Sequence, residues 1–313
     1  MKKNILFLFG LVLFLAVLVF SLDKIFAALP GDEGLTLSPP LREVTVAPGQ
    51  TNTQTIKITN PTAKLVELYP KVMDFNSKGE TGEPGFSEPG ENSGKYSLAS
   101  WIKISQSKIA LTPEQIVEYT YTINVPSDAE PGGHYGVIFF ATEPPEISDS
   151  SSNVALSSMV GGLVLVRVPG DIVEGARIEE LKSDKFVYLF NKVALITRIN
   201  NLCNVHFKPT GTINIKNVFG HTTDTLTFNE QNGNVLPESI RKFDNQWDSK
   251  KILVGPYTAT ANLVYGESKQ ALTDSTTFWV IPWWLLVVVA VIIVSLSVYL
   301  IIRKKKKKSG ARF

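Results

Sequence analysis

Two stretches of strict alternation constrain what this chain can fold into. In the first, Val117, Tyr119, Tyr121, Ile123 and Val125 alternate with Glu118, Thr120, Thr122 and Asn124. In the second, Tyr257, Ala259, Ala261, Leu263 and Tyr265 alternate with Thr258, Thr260, Asn262 and Val264. A period of two sends one set to a core and the other toward water, which is strand behaviour. Shorter β-branched runs surround them at 54–60, 65–75, 101–104, 134–140 and 162–168, and again at 186–190, 193–200, 212–215, 223–228 and 276–281. Turn signals separate the runs, among them Ala47-Pro48-Gly49-Gln50, Asn60-Pro61 and Asn217-Val218-Phe219-Gly220. The pattern predicts an all-β chain of two antiparallel β-sandwich domains, 35–172 and 173–281, divided at Pro169-Gly170. Between them in style is 76–95, dense in Gly, Glu, Pro and Ser, which reads as a long mobile loop. The stretch 143–152 is polar and loop-like as well.

Both ends read as targeting segments. Lys2 and Lys3, the apolar run Ile5 to Phe20 and the small residues Ala27-Ala28 predict a signal peptide over 1–27; an uncleaved anchor is the alternative. At the other end, 283–302 is uncharged and long enough for about 30 Å of helix, so a transmembrane helix is expected over 282–302. Trp279, Trp283 and Trp284 would mark one interface and Tyr299 the other. Arg303, Lys304, Lys305, Lys306, Lys307 and Lys308 open a basic tail, 303–313, expected on the cytoplasmic side. The expectation is a single-pass cell-membrane protein whose ectodomain is extracytoplasmic, with the lipid bilayer as its first partner. The formal charge of +2 includes nine positive charges at the two ends, which leaves the exported part near −7. An acidic ectodomain argues against nucleic acid as a partner.

Little in the chain points to chemistry. There are three histidines, His134, His206 and His221, with no metal-ligand spacing, and a single cysteine, Cys203, so no internal disulfide can form. Cys203 reads as a small buried strand residue. No nucleophile motif or phosphate loop is present, and the carboxylates are scattered, Glu179-Glu180 being an adjacent pair with no glycosidase motif around it. Neither an enzyme nor a cofactor is expected. Trp101, Tyr135 and Trp247 are able to stack on glycan rings, but such residues more often fill a sandwich core. The candidate binding surface is Trp101 with the turn Gly132, Gly133, His134 and Tyr135.

The Ala47-Pro48-Gly49 turn, the strand ending Thr59-Asn60-Pro61-Thr62, the stretch Val125 to Gly136 and Val164 to Gly170 together resemble the first domain of the WxL-interacting cell-surface proteins of Gram-positive bacteria. Pro209 to Ile213, Asn217 to Gly220, Val235 to Ser239 and Gly255-Pro256-Tyr257 extend that resemblance into the second half, and the terminal apolar segment with its lysine-rich tail matches too. The resemblance implies two tandem Ig-like sandwiches and an association with peptidoglycan; it transfers no ligand residue. The leading expectation is a noncatalytic, membrane-anchored binding or scaffold protein that contacts peptidoglycan or a partner surface protein. The alternative is a chaperone-like assembly factor for exported subunits, working by strand pairing. A wall-glycan enzyme comes third.

Overall fold

The computed structural model describes residues 34–91, 94–142 and 159–309. The signal peptide expected over 1–27 and the polar loop over 143–152 lie outside the described residues. The first half contributes β1 (Thr36–Ser38), β2 (Leu41–Thr45), β3 (Thr51–Thr59), β4 (Val66–Lys78), β5 (Glu83–Ser87), β6 (Ile102–Ile104), β7 (Ile109–Leu111), β8 (Ile116–Asn124), β9 (Gly132–Ala141) and β10 (Met159–Val168). The second contributes β11 (Ala176–Ser183), β12 (Val187–Tyr188), β13 (Lys192–Asn201), β14 (Thr210–Asn217), β15 (Thr222–Phe228), β16 (Ile240–Asp248), β17 (Gly255–Tyr265) and β18 (Gln270–Val280), followed by one helix, α1 (Trp283–Ser309).

Each half has two sheets. In the first they run β1-β3-β8-β6 and β2-β10-β9-β4-β5, with β7 also on β4; in the second, β11-β13-β16 and β12-β18-β17-β14-β15. The pairing is antiparallel apart from β2 with β10 and β12 with β18, which are parallel and correct the purely antiparallel expectation. The first exception follows from Pro39-Pro40 between β1 and β2. Neither proline has an N–H for a ladder, so the chain leaves β3 and re-enters in the opposite sheet.

The alternating residues fall as their period requires. Tyr119, Tyr121 and Ile123 of β8 meet Ile138 and Phe140 of β9 and Val164 and Val166 of β10 in the first core. In the second, Trp247 packs among Tyr257 and Phe278, with ring centroids 5.4 and 6.0 Å away. Strand β9 is buried along its whole length. Its other face, Tyr135, Val137 and Phe139, forms a third cluster with Phe75, Leu165 and Leu236, the last from the second half.

The segment 76–95 is not one long loop. Strand β4 continues to Lys78 and β5 returns from Glu83 as a hairpin, with Phe75 opposite Phe86. Gly79 and Gly82, at φ of 65° and 84°, supply the left-handed turn residues. Phe86 anchors the return strand against Phe139, centroid to centroid 4.7 Å. One aromatic contact with the buried Phe139 outweighs a loop-like composition.

The membrane expectation is overturned. Among the described residues no helix is long and apolar enough to cross a membrane. Trp279, Trp283, Trp284 and Tyr299 are exposed. The side chains of Arg303, Lys304, Lys305, Lys306, Lys307 and Lys308 lie outside the described residues. With the span goes the bilayer as a partner, along with the single-pass localisation and its cytoplasmic C-terminus.

Candidate functional site: the open end of β10 and the joint at its far end

Strand β10 pairs with β9 from Met159 to Val168, but β2 covers its other side only from Leu163 to Arg167. The Leu163 N–H donates to the Pro40 carbonyl at 2.9 Å, toward the β2 side. Backbone groups two residues apart point the same way, so those of Met159 and Gly161 aim at that side too. Among the described residues no strand lies there. Met159 is 54% exposed. A Cβ on Gly161 would fall 2.7 Å from the Phe139 ring, and one on Gly162 would fall 3.1 Å from Ile56 Cδ1. The glycines thus let β10 sit close to its core, and they keep this edge low and mostly backbone.

Other edges are blunted. The Thr227 carbonyl of β15 accepts from Asn245 Nδ2 at 3.4 Å, and its Thr223 carbonyl accepts from Lys251 Nζ. Strand β11 carries a bulge between Ile178 and Glu180, and β5 carries Pro84. On β16 the Lys242 N–H donates at 2.7 Å to the Glu80 carbonyl, at the tip of the β4–β5 hairpin. These are the usual ways of closing an edge to stray pairing. The end of β10 has none of them among the described residues.

At the opposite end of β9 and β10, where Gly132 lies across from Val168, the two halves are bolted together. Gly133 N–H donates to the Asn204 carbonyl at 2.9 Å, and Asn204 Nδ2 donates to the Pro131 and Asp171 carbonyls. Gly132 has φ of 136°, and a Cβ there would lie 2.5 Å from the Asn204 oxygen, so the close approach requires glycine. The Tyr135 hydroxyl accepts the His206 backbone N–H at 2.9 Å and lies 3.1 Å from His206 Nδ1. Burial pushes the Tyr135 hydroxyl well above its ordinary pKa and lowers His206 to about 4. A neutral His206 with a bare Nδ1 accepts a hydrogen bond from the Tyr135 hydroxyl, and the whole contact is satisfied. Glu43 bonds Lys208 Nζ at 2.7 Å and Asn234 Nδ2 at 2.9 Å, while Arg198 Nε donates to Glu80 Oε2 at 2.7 Å.

The residues expected to form a binding surface are placed differently. Gly132, Gly133, His134 and Tyr135 are buried, so they form the joint and offer no exposed platform. His134 spans the Ser97 carbonyl (3.2 Å) and the Glu130 carbonyl (3.1 Å), and desolvation lowers its pKa. Trp101 is half-buried against that imidazole, centroids 4.2 Å apart. Trp247 lies in the second core. Cys203 is buried as expected, though in the turn after β13; it exchanges contacts of 3.2 Å with the Gly175 backbone, and burial raises its thiol pKa. Among the described residues no group of three metal-ligating side chains converges.

No family model matches the chain, and no curated protein sequence matches it. Among solved structures it is similar to the class 5 fimbriae chaperone CfaA, at 13% identity and TM-score 0.41, over 77% of this chain and 98% of that one. It is also similar to the E. coli chaperone DraB (13%, TM-score 0.33, over 79% and 96%) and to the Pseudomonas aeruginosa CupB2 chaperone (10%, TM-score 0.32, over 76% and 97%). At these scores the likeness carries no functional argument.

Proposed function

We propose that this chain is a noncatalytic assembly factor that takes an extended segment of an exported partner protein along the open end of β10. One observation carries the reading: among the described residues Met159 to Gly162 are paired on one side only, whereas β5, β11, β15 and β16 carry blunting features. An added strand would gain main-chain hydrogen bonds to Met159 and Gly161, and the glycines would present little side chain to oppose it. A surface protein is also the kind of partner that the resemblance to WxL-interacting proteins implies. The membrane-anchored scaffold reading has lost its crossing helix, and the peptidoglycan reading has lost Tyr135 and Trp247 as stacking surfaces.

The test uses a photoreactive residue at Met159 in the full chain, expressed in the source cells. An adduct with an exported protein, lost in Gly161→Pro but kept in Gly161→Ala, which brings the same Cβ against Phe139 and leaves the outward N–H in place, is the expected result. Val160 points its N–H at β9, so Val160→Pro should damage the fold instead. An adduct that forms equally well in Gly161→Pro would sink the strand-pairing mechanism. Capture of incomplete subunits alone would mark an assembly factor; capture of mature surface proteins would mark a scaffold.

A further inference from the structure

The cleft between the halves holds a half-open cavity of about 240 Å³ with an apolar floor of Leu41, Phe75, Leu163 and Leu165 from the first half and Leu236 from the second. One charged side chain from the second half, Arg241, also lines it. Its guanidinium is closely held. Nη1 donates to the Asn234 carbonyl at 2.6 Å, and the group lies 5.4 Å from the centroid of the Phe243 ring. Gly82 and Gly233 flank it, and a Cβ on either would come within 2.4 or 2.6 Å of it. Any other residue at these two positions would push the guanidinium aside.

What this group lacks is a counter-charge. Among the described residues no carboxylate pairs with Arg241, and desolvation lowers its pKa with no neighbouring acid to offset it. The nearby acids are engaged elsewhere: Glu80 with Arg198, Glu43 with Lys208 and Asp244 with Lys242. Glu83 lines the cavity without reaching the guanidinium. Among the described residues Arg241 Nε is buried without a hydrogen-bond partner, a donor left for an acceptor oxygen. A half-buried arginine left unpaired is unusual, because removing its charge from water is costly unless an anion compensates. An apolar cavity of about 150 Å³ accommodates benzene, so this one has room for a single ring and a small head group.

We infer that the cleft binds a small organic anion, a carboxylate on a one-ring or short branched aliphatic body, with the carboxylate on Arg241 and the body among the leucines and Phe75. This site is separate from the β10 edge and stands or falls independently of it.

The experiment titrates the full chain with phenylacetate and with its neutral isostere phenylacetamide, followed by calorimetry or by protein NMR shifts. Phenylacetate should bind saturably and at least tenfold more tightly than the amide. Arg241→Met should remove that preference, leaving the two ligands equal. Leu163→Trp, which fills the cavity and keeps the charge, should abolish binding of both, and it decides the matter if Arg241→Met does not fold. Absence of saturable phenylacetate binding, equal affinity for the amide in the unsubstituted chain, or unchanged binding in Leu163→Trp each overturns the assignment.

Discussion

Strands β3 and β13, one in each half, stop in the same way, whereas β9 and β17 differ along their whole length. Asn60 after β3 and Asn201 at the end of β13 are both fully buried. Each accepts a backbone N–H two residues on, Thr62 and Cys203, and donates Nδ2 to a carbonyl four residues on, Lys64 and Val205. Each also reaches a distant strand or turn, at Leu111 and Val235. This Asx device closes a turn and ties it to the sheet. Strand β17, by contrast, alternates between core and solvent, while β9 is buried on both faces because Phe75, Phe86 and Tyr96 of its own half, with Leu236 and His206 of the second, cover its outer side. Similar end chemistry thus recurs without a sequence repeat, and the middle of a strand depends on what lies on each side.

Several changes would break or sharpen this comparison. The largest effect is expected for Phe140→Ala on the inner face of β9, about 3–5 kcal/mol by urea unfolding, because a fully buried ring leaves a cavity in a packed core. Asn60→Ala and Asn201→Ala should each cost about 2–4 kcal/mol, since each strands buried backbone groups; a large disparity would mean the two staples are not equivalent. Next comes pH. His206, facing Tyr135, Glu43, Lys208 and Arg167, is lowered to about 4 chiefly by desolvation, while its unfolded value is near 6.5. The unfolded chain therefore takes up the proton first. Stability should be intact above pH 6.5 and fall toward pH 4 by on the order of 2 kcal/mol, with His206→Gln flattening the slope. Glu80→Gln should cost under about 1 kcal/mol, as its pairing with Arg198 is partly solvent-screened, yet it should loosen the halves as read by spin-label distances. Val264→Ala on the solvent face of β17, 37% exposed, should change stability by less than about 0.5 kcal/mol.

Most of the fold was legible because sandwich strands such as β8 and β17 face one core and one solvent layer. Strand β16 escaped because Phe243 and Trp247 are spaced four apart, with the half-buried Asn245 between them on the same face, which hides a period of two. The stretch from Gly132 to Tyr135 stood out in the sequence, but as a surface turn. Nothing local announces that Asn204 and His206, on the other half, bury it. The open end of β10 was less legible still. It exists because β2 is five residues long and pairs only from Leu163 onward, a property of pairing and not of the segment itself.

The hairpin tip at Glu80 has a consequence for biosynthesis. Chains emerge from the ribosome N-terminus first, and domains tend to fold in that order. The β4–β5 hairpin is therefore in place before β16 is translated. When Lys242 arrives, the carbonyl that will seal its edge is already waiting, so the second sandwich need not pass through a stage in which that edge is free to recruit a neighbouring nascent chain.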